Sequence, residues 1–541
     1  MRRIPLLFSV VILFGCAQSG TLRESASSED VTAEPQFAMA KLFDDLMHAR
    51  LNSDQAKQLE TNCREYPQAS VFCFSILNRQ RLTDAFKEME KDAQPVKYRG
   101  RTFRPRFGAK NAVLNWEELR NAPVQGLLRG MPKGQTAKLN ALKLAALRET
   151  DCPNTPAIAI ASSLEDKLPT TVTFNEVARL YEKGASCMDE KDSERELVLT
   201  RAGLFYYAAK EYRLALDVLK KSSEHPTAFV GRPLYWLYRA QLQLDETSAA
   251  KRTLKQLQNR YPFSFHSLVA QTASGRDPGE LLAKASVSSI KRSKQGPEVN
   301  QLLETVEILR RLSFDSSAAQ VLNWAIAQSR GGIEPEVMLY MAELKKDQGD
   351  YKSKITILSG ILYQNPDFIS RQTLELYFPK VLFPIFEKQS AAIDPYFLLA
   401  IARRESAFDA NAVSSADARG LLQVLPATGR RMRRKRSNLF DPETNIAVGA
   451  KYVVELLKRT DGQVHLALAA YNAGPGKLKG WSRSYPTDDP ILFTDLIPFR
   501  ETREYVGSVL RNYYWYRRIH QSDTPIPADK ILALAIAEKQ E

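Results

Sequence analysis

From about Phe37 onward, apolar residues recur at the three-to-four spacing of amphipathic helices, as in FDDLMHARL (Phe43–Leu51), TFNEVARLYEKG (Thr173–Gly184), LFYYAAKEYRLALDVLKKS (Leu204–Ser222) and YWLYRAQLQLDETSAAKRTLKQLQNRYP (Tyr235–Pro262). The period-two alternation of strands is scarce, so the pattern predicts an all-α chain. Prolines at 366, 379 and 384 punctuate the pattern and predict a boundary ahead of a second helical domain. After Gln521, Pro525 and Pro527 precede DKILALAIAEK, which reads as a linker and one short helix.

The first helical stretch carries an internal echo. KEYRLAL at Glu211 and DETSAAK at Glu246 lie 35 residues apart, each after an aromatic-rich helix, and DQGDYKSKITIL around Tyr351 has the same turn-then-helix form. That spacing is close to the roughly 34-residue period of tetratricopeptide-like hairpins. Such an array either offers a curved surface to partners or places its aromatics in the core.

The second domain is organised around DPYFLLAIARRESAFDANAVSSADARGLLQ, Asp394 to Gln423. Asp394 can cap orphan amides, and Pro395 suits the first helical position, so a helix starts there. Leu398, Ile401 and Glu405 fall at i, i+3 and i+7, which puts a carboxyl on the apolar stripe and leaves Arg403 and Arg404 to the solvated face. Burial and the negative end of the helix dipole would both raise the pKa of Glu405, as a general acid requires. The same cap logic starts a helix at Asp441-Pro442, with Ile446, Gly449, Val453 and Leu456 on its apolar face. Another helix stops at Asn472-Ala473-Gly474-Pro475 and leaves Tyr471 and Asn472 at a terminus.

Read together, Glu405-Ser406, Ser414, GLLQVLPAT (Gly420–Thr428), DPETNIAVGAKY (Asp441–Tyr452), AAYNAGPG (Ala469–Gly476) and IPFRETREYV (Ile497–Val506) resemble the soluble lytic transglycosylases of bacterial cell walls. The resemblance implies a goose-type-lysozyme-like domain behind a long α-superhelical region. It makes Glu405 the catalytic acid and then base, cutting between N-acetylmuramic acid and N-acetylglucosamine to leave 1,6-anhydro ends. It places Ser414, Gln423, Tyr471, Asn472 and Glu501 along the substrate groove. Leu422 stands where that family usually has methionine, an apolar swap of similar volume. The alternatives are a hydrolytic muramidase, or a non-catalytic helical-repeat scaffold that binds the wall.

Arg2, Arg3 and the apolar run Ile4–Gly15 form an export signal too short to span a bilayer, and LFGC ending at Cys16 resembles a lipobox. The expected layout is a signal peptide over 1–15, a lipidated Cys16 and flexible tether over 16–36, a superhelical region over 37–375, a lysozyme-like domain over 376–520 and a tail over 521–541. No later stretch is long and apolar enough to span a membrane, so attachment would be a lipid anchor, with the outer membrane facing the periplasm as the expected place. Cys63, Cys73, Cys152 and Cys187 are even in number in an exported chain and allow three pairings, of which nearest-neighbour pairing is the one adopted. No Cys/His spacing suggests zinc, and neither metal nor cofactor is expected.

The net charge of +14 and the run RRMRRKR, Arg430–Arg436, would suit nucleic acid, but export excludes that partner. Peptidoglycan strands, an anionic membrane surface, or other wall proteins docking on the helical region remain.

Overall fold

A computed structural model describes residues 39–48, 50–65, 71–77, 79, 156–190, 192–224, 231–283, 297–328, 335–347, 349–364, 368–389, 393–433 and 438–521. The expected signal peptide, Cys16, the tether, Cys152 and the tail beyond residue 521 lie outside the described residues. Among the described residues the fold is all-α, as the periodicity predicts, and β pairing is confined to isolated bridges of Arg419 with Val413 and Val424. No helix among them is long and apolar enough to cross a membrane.

The chain divides into two compact units, one drawn from Met1–Arg101 and Val287–Asn365, the other from Thr102–Ser286 and Pro366–Glu541. In the first, helix Val71–Leu77 packs on Ser53–Glu65 and on Pro297–Arg311. A disulfide joins Cys63 to Cys73, and the rings of Phe43 and Phe72 meet at 5.6 Å. Cys187, in the second unit, is also disulfide-bonded.

The repeat is written in its turns. Lys210 and Asp245 both take left-handed backbone, at φ 63° and 57°, and in each turn the next amide closes on a carbonyl five residues back: Glu211 on Tyr206, Glu246 on Gln241. Ser313 and Gly349 repeat the device in the first unit, with Phe314 closing on Leu309 and Asp350 on Lys345. Short turns of this kind force successive helices to pack against each other, as Phe174–Ser186, Ser193–Ala208, Tyr212–Ser223, Arg232–Gln243 and Thr247–Arg260 do in order. Phe205, Tyr206, Tyr235 and Trp236 are buried in this stack, so its aromatics are core rather than an exposed binding face.

In the second unit, helix Pro395–Glu405 begins where expected, the Asp394 carboxylate accepting from the Tyr396 amide at 2.8 Å. Almost every side chain of this helix is buried, and it packs on the long helix Arg500–His520 through Phe397 and Tyr513. Arg403 departs from the expectation of a solvated face. Its guanidinium lies 4.3 Å from the Tyr377 ring centroid and 4.6 Å from that of Phe378, and it donates to the Tyr377 carbonyl. A planar, weakly hydrated cation can be buried on aromatic faces in a way that periodicity alone does not anticipate.

The segment before helix Arg500–His520 is held by cations from the earlier helices. Asp495 is 1% exposed, and its carboxylate accepts from Arg232 Nε at 2.8 Å and Trp236 Nε1 at 2.7 Å, with His266 Nε2 at 2.7 Å. Arg201, paired with Glu165, donates to the carbonyls of Asp495 and Leu496 at 2.9 and 2.7 Å. Arg503 takes the next two carbonyls, of Ile497 and Pro498, at 2.5 and 3.1 Å. Four consecutive residues, 495 to 498, are thereby fixed by guanidinium groups. Burial alone would raise the pKa of Asp495, yet Arg232 and His266 hold its carboxyl well below the usual range.

Candidate active site

Glu405 is the last residue of its helix and is half-buried, with its carboxyl neither sealed in the core nor free in solvent. Burial raises its pKa from the ordinary range to about 7; the Tyr505 hydroxyl and Arg404 pull it down, and Glu501 pushes it up. A carboxyl poised near neutral pH can both deliver and take back a proton.

The chain turns sharply after this acid. Ala407 and Phe408 follow with φ of 51° and 71°, two consecutive non-glycine residues in left-handed backbone, where each costs roughly 1–3 kcal/mol. Ser406 holds the turn: its hydroxyl donates to the Leu421 carbonyl at 2.9 Å and accepts from the Phe408 amide at 3.1 Å. The end of the acid helix is thus tied directly to the GLLQ loop.

That loop is built on Gly420, whose φ is 73° and whose missing Cβ would stand 2.2 Å from the Leu439 carbonyl oxygen. Asn445, wholly buried, secures it with three hydrogen bonds, accepting from the Leu422 amide at 2.8 Å and donating to the carbonyls of Arg419 and Leu439 at 2.8 and 2.7 Å. Leu422 in turn fills the space over Gly449, where a Cβ would fall 2.3 Å from its Cδ1. Gln423 adopts a φ of 45° and donates its amide to the carbonyls of Ala412 and Gly420, leaving its side-chain oxygen toward other partners. Ser414 accepts from the amides of Ala416 and Ala418 and keeps its O–H proton to donate.

Helix Val464–Ala473 brings in Tyr471 and Asn472 before Gly474, at φ 88°, stops it. Tyr471 donates to the Leu422 carbonyl at 2.6 Å. The Asn472 amide lies 3.4 Å from the Glu501 carboxylate, and its oxygen accepts from the Thr502 hydroxyl at 2.6 Å. Glu501 itself is exposed, in the first turn of helix Arg500–His520.

Tyr505 is the residue that sequence reading passed over. Its ring lies parallel to that of Tyr471 at 6.4 Å, and its hydroxyl is buried without a hydrogen-bond partner within normal geometry, although it acts on Glu405. Burial first, and the Glu405 carboxylate second, raise the pKa of both tyrosines well above the ordinary value. Both therefore stay protonated. The signal was available: Tyr505 stands four residues after Glu501, on the same face of one helix. Asn445 was equally legible, as a lone amide beside Ile446 and Gly449 on an apolar face.

Around one carboxyl of raised pKa, the site thus gathers two neutral tyrosines, an exposed second carboxylate and amide and hydroxyl groups suited to a polyhydroxylated ligand.

Residues 383–493 match the transglycosylase SLT domain family, and residues 234–264 match a tetratricopeptide repeat family. The soluble lytic murein transglycosylase of Escherichia coli K12 is 26% identical over 416 residues, covering 72% of this chain and 61% of the relative. The chain thus spans about three fifths of that relative's length. A putative soluble lytic murein transglycosylase of Haemophilus influenzae is 30% identical over 235 residues, covering 42% of this chain and 38% of the relative. In fold, the crystal structure of an inactive glutamate-to-glutamine mutant of lytic transglycosylase Slt from Pseudomonas aeruginosa superposes with a TM-score of 0.57 at 17% identity, over 96% of this chain and 79% of that one.

Proposed function

Taking the transglycosylase SLT domain over residues 383–493 as premise, we propose that this chain is a peptidoglycan lytic transglycosylase with Glu405 as its acid and base. The observation that carries the reading is a half-buried carboxyl at a helix end with its pKa raised to about 7. Protonated Glu405 gives its proton to the oxygen linking N-acetylmuramic acid to N-acetylglucosamine, and the C1–O bond breaks. The carboxylate then takes the proton of the muramoyl 6-hydroxyl, whose oxygen closes on C1. No water is consumed, and the proton balance of Glu405 is restored.

Tyr505 faces the carboxylate as a neutral hydroxyl and steadies its charge between the two transfers, while Tyr471 donates to the Leu422 carbonyl and holds the GLLQ loop. Asn472 and Glu501, tied to each other, with Gln423 and Ser414, offer donors and acceptors to sugar hydroxyls and N-acetyl groups. That a glutamate-to-glutamine mutant of the Pseudomonas aeruginosa relative is inactive supports a mechanism in which one carboxyl carries the proton traffic. The protein works in the cell envelope, held to the outer membrane on its periplasmic side by lipid on Cys16. Cys16→Ser should abolish labelling by a palmitate analogue, and label persisting on the variant would overturn the anchor.

Digestion of purified peptidoglycan in ¹⁸O-labelled water, followed by mass analysis of the products, tests the reaction. Anhydro-muramoyl ends free of label are expected. Reducing muramoyl ends carrying ¹⁸O would make the enzyme a hydrolytic muramidase and give Glu501 a water-activating role.

A further inference from the structure

Where the repeat helices meet helix Arg500–His520, their packing leaves a cavity of about 20 Å³. Roughly 10–15 Å³ of such space holds one water, so the room is that of a single water or monatomic ion. Four elements of one compact unit line it. Arg232 stands on helix Arg232–Gln243, His266 on Phe265–Ala273, Asp495 near the end of Pro490–Leu496, and Arg503, Glu504 and Arg511 on Arg500–His520.

The charges of this lining do not cancel, because three guanidinium groups face two carboxylates. Arg232 is committed to both acids, with Nε 2.8 Å from Asp495 and Nη1 3.0 Å from Glu504. Arg511 donates to the Asn512 side chain at 2.9 Å. Arg503 gives one nitrogen to the carbonyls of Ile497 and Pro498 and has no ion pair among the described residues. Burial, with Arg201 and Arg232 close by, pushes its pKa down to about 9, the mark of a positive potential that Glu504 and Glu165 only partly offset.

His266 supplies a second, independent observation. It is 2% exposed and turns Nε2 to Asp495 at 2.7 Å, which leaves Nδ1 buried in the cavity wall with no partner. Buried polar atoms are rarely left so, and this one calls for a partner. A neutral imidazole that donates Nε2–H to Asp495 turns a lone pair to the cavity and takes a water, whereas an imidazolium turns an N–H there and takes an anion. The unbalanced guanidinium charge favours the anion.

We propose that this cavity binds a single chloride-sized anion between Arg503 and His266, and that the anion locks helix Arg500–His520 to the repeat helices. The lock acts on the segment at 495–498, next to the helical turn that carries Glu501, and it stands apart from the transglycosylase reading. A polyatomic oxyanion such as sulfate does not fit the volume.

Crystals of the full-length protein grown in sodium bromide test the site directly. An anomalous bromide peak in contact with Arg503 and His266 is expected; density there without anomalous signal marks a water and overturns the proposal. In solution, hydrogen exchange of the amides at 495–504 should slow in sodium chloride relative to sodium gluconate at equal ionic strength. Once the site is saturated, protection should grow about tenfold for each tenfold rise in chloride.

His266→Gln keeps a donor for Asp495 but has nothing at Nδ1, and should weaken chloride binding about tenfold or more, as expected for one charge-assisted hydrogen bond. Arg503→Lys keeps the charge and should retain the chloride response, whereas Arg503→Met should lose it. An undiminished response in His266→Gln or Arg503→Met, or equal protection of the wild type by sulfate, overturns the proposal. Should the variants fail to fold, the bromide map decides by itself.

Discussion

Tyr471 and Leu422, 49 residues apart in the chain, meet where the tyrosine hydroxyl donates to the leucine carbonyl across 2.6 Å. A phenol has one proton to donate, so toward Glu405 Tyr471 can offer only its oxygen lone pairs. The tyrosine thus ties the GLLQ loop to helix Val464–Ala473, while Tyr505 keeps its proton available beside the acid.

Tyr471→Phe keeps the ring and removes that tie. Stability should fall by about 1 kcal/mol, read from urea denaturation, and the leftover carbonyl should loosen the loop enough to slow turnover by roughly ten- to hundredfold. Tyr505→Phe, which breaks no such tie, should leave the denaturation midpoint nearly unchanged and instead raise the pKa governing kcat/KM, because the hydroxyl pulls that pKa down.

Glu405→Gln should lose roughly 10²- to 10⁴-fold in rate. The raised pKa makes a second, thermodynamic prediction. The folded protein holds the Glu405 proton more tightly than the unfolded chain, so the wild type loses stability as pH rises from about 4.5 through about 7. Glutamine imitates the protonated form and has nothing to lose. The variant should therefore melt higher than the wild type at pH 8 and alike near pH 4. The kcat/KM of the wild type should fall with rising pH above about 7, as the acid is lost.

Asn445→Ala removes a buried side chain that serves one amide and two carbonyls. Each group left unpaired costs about 1–3 kcal/mol, so a loss of roughly 3 kcal/mol or more in urea denaturation is expected. A loss under about 1 kcal/mol would mean that the loop is anchored elsewhere.

Asp495→Ala should cost more than Asp495→Asn, since removing one partner of a buried pair costs roughly 3–5 kcal/mol and asparagine still accepts hydrogen bonds. Because the carboxyl of Asp495 is held well below the usual range, its stabilisation is present above the ordinary carboxylate pKa and fades as pH falls toward the depressed folded value. The acid-unfolding curves of wild type and Asp495→Asn should converge at low pH.

The parts of the fold set by neighbours in sequence were legible in it. Asp394 and Asp441 cap their helices as expected, each accepting from an amide at 2.8 Å, and Gly474 ends the helix of Tyr471. The 35-residue echo corresponds to turns at Lys210 and Asp245 with identical backbone closure. What sequence did not reveal depends on distant partners. Arg403 reads as surface by phase, yet two aromatic rings 25 and 26 residues earlier, Phe378 and Tyr377, take it in. Asp495 lies near the end of the short helix Pro490–Leu496, and only the fold brings Arg232, Trp236 and His266 around it. In the candidate site, Glu405 announced itself by phase and Tyr505 by its place one turn after Glu501, but only the packing of their two helices brings the Tyr505 hydroxyl to the acid.

A ribosome makes Arg201, Arg232, Trp236 and His266 more than two hundred residues before Asp495. Throughout that interval the repeat helices can stack and Arg201 can pair with Glu165, but Arg232 still lacks the carboxylates of Asp495 and Glu504. The segment at 495–498 is therefore a late keystone: the arch around it can stand half-built, and the Glu501 and Tyr505 end of the site takes its place only after the last stretch of chain has been delivered.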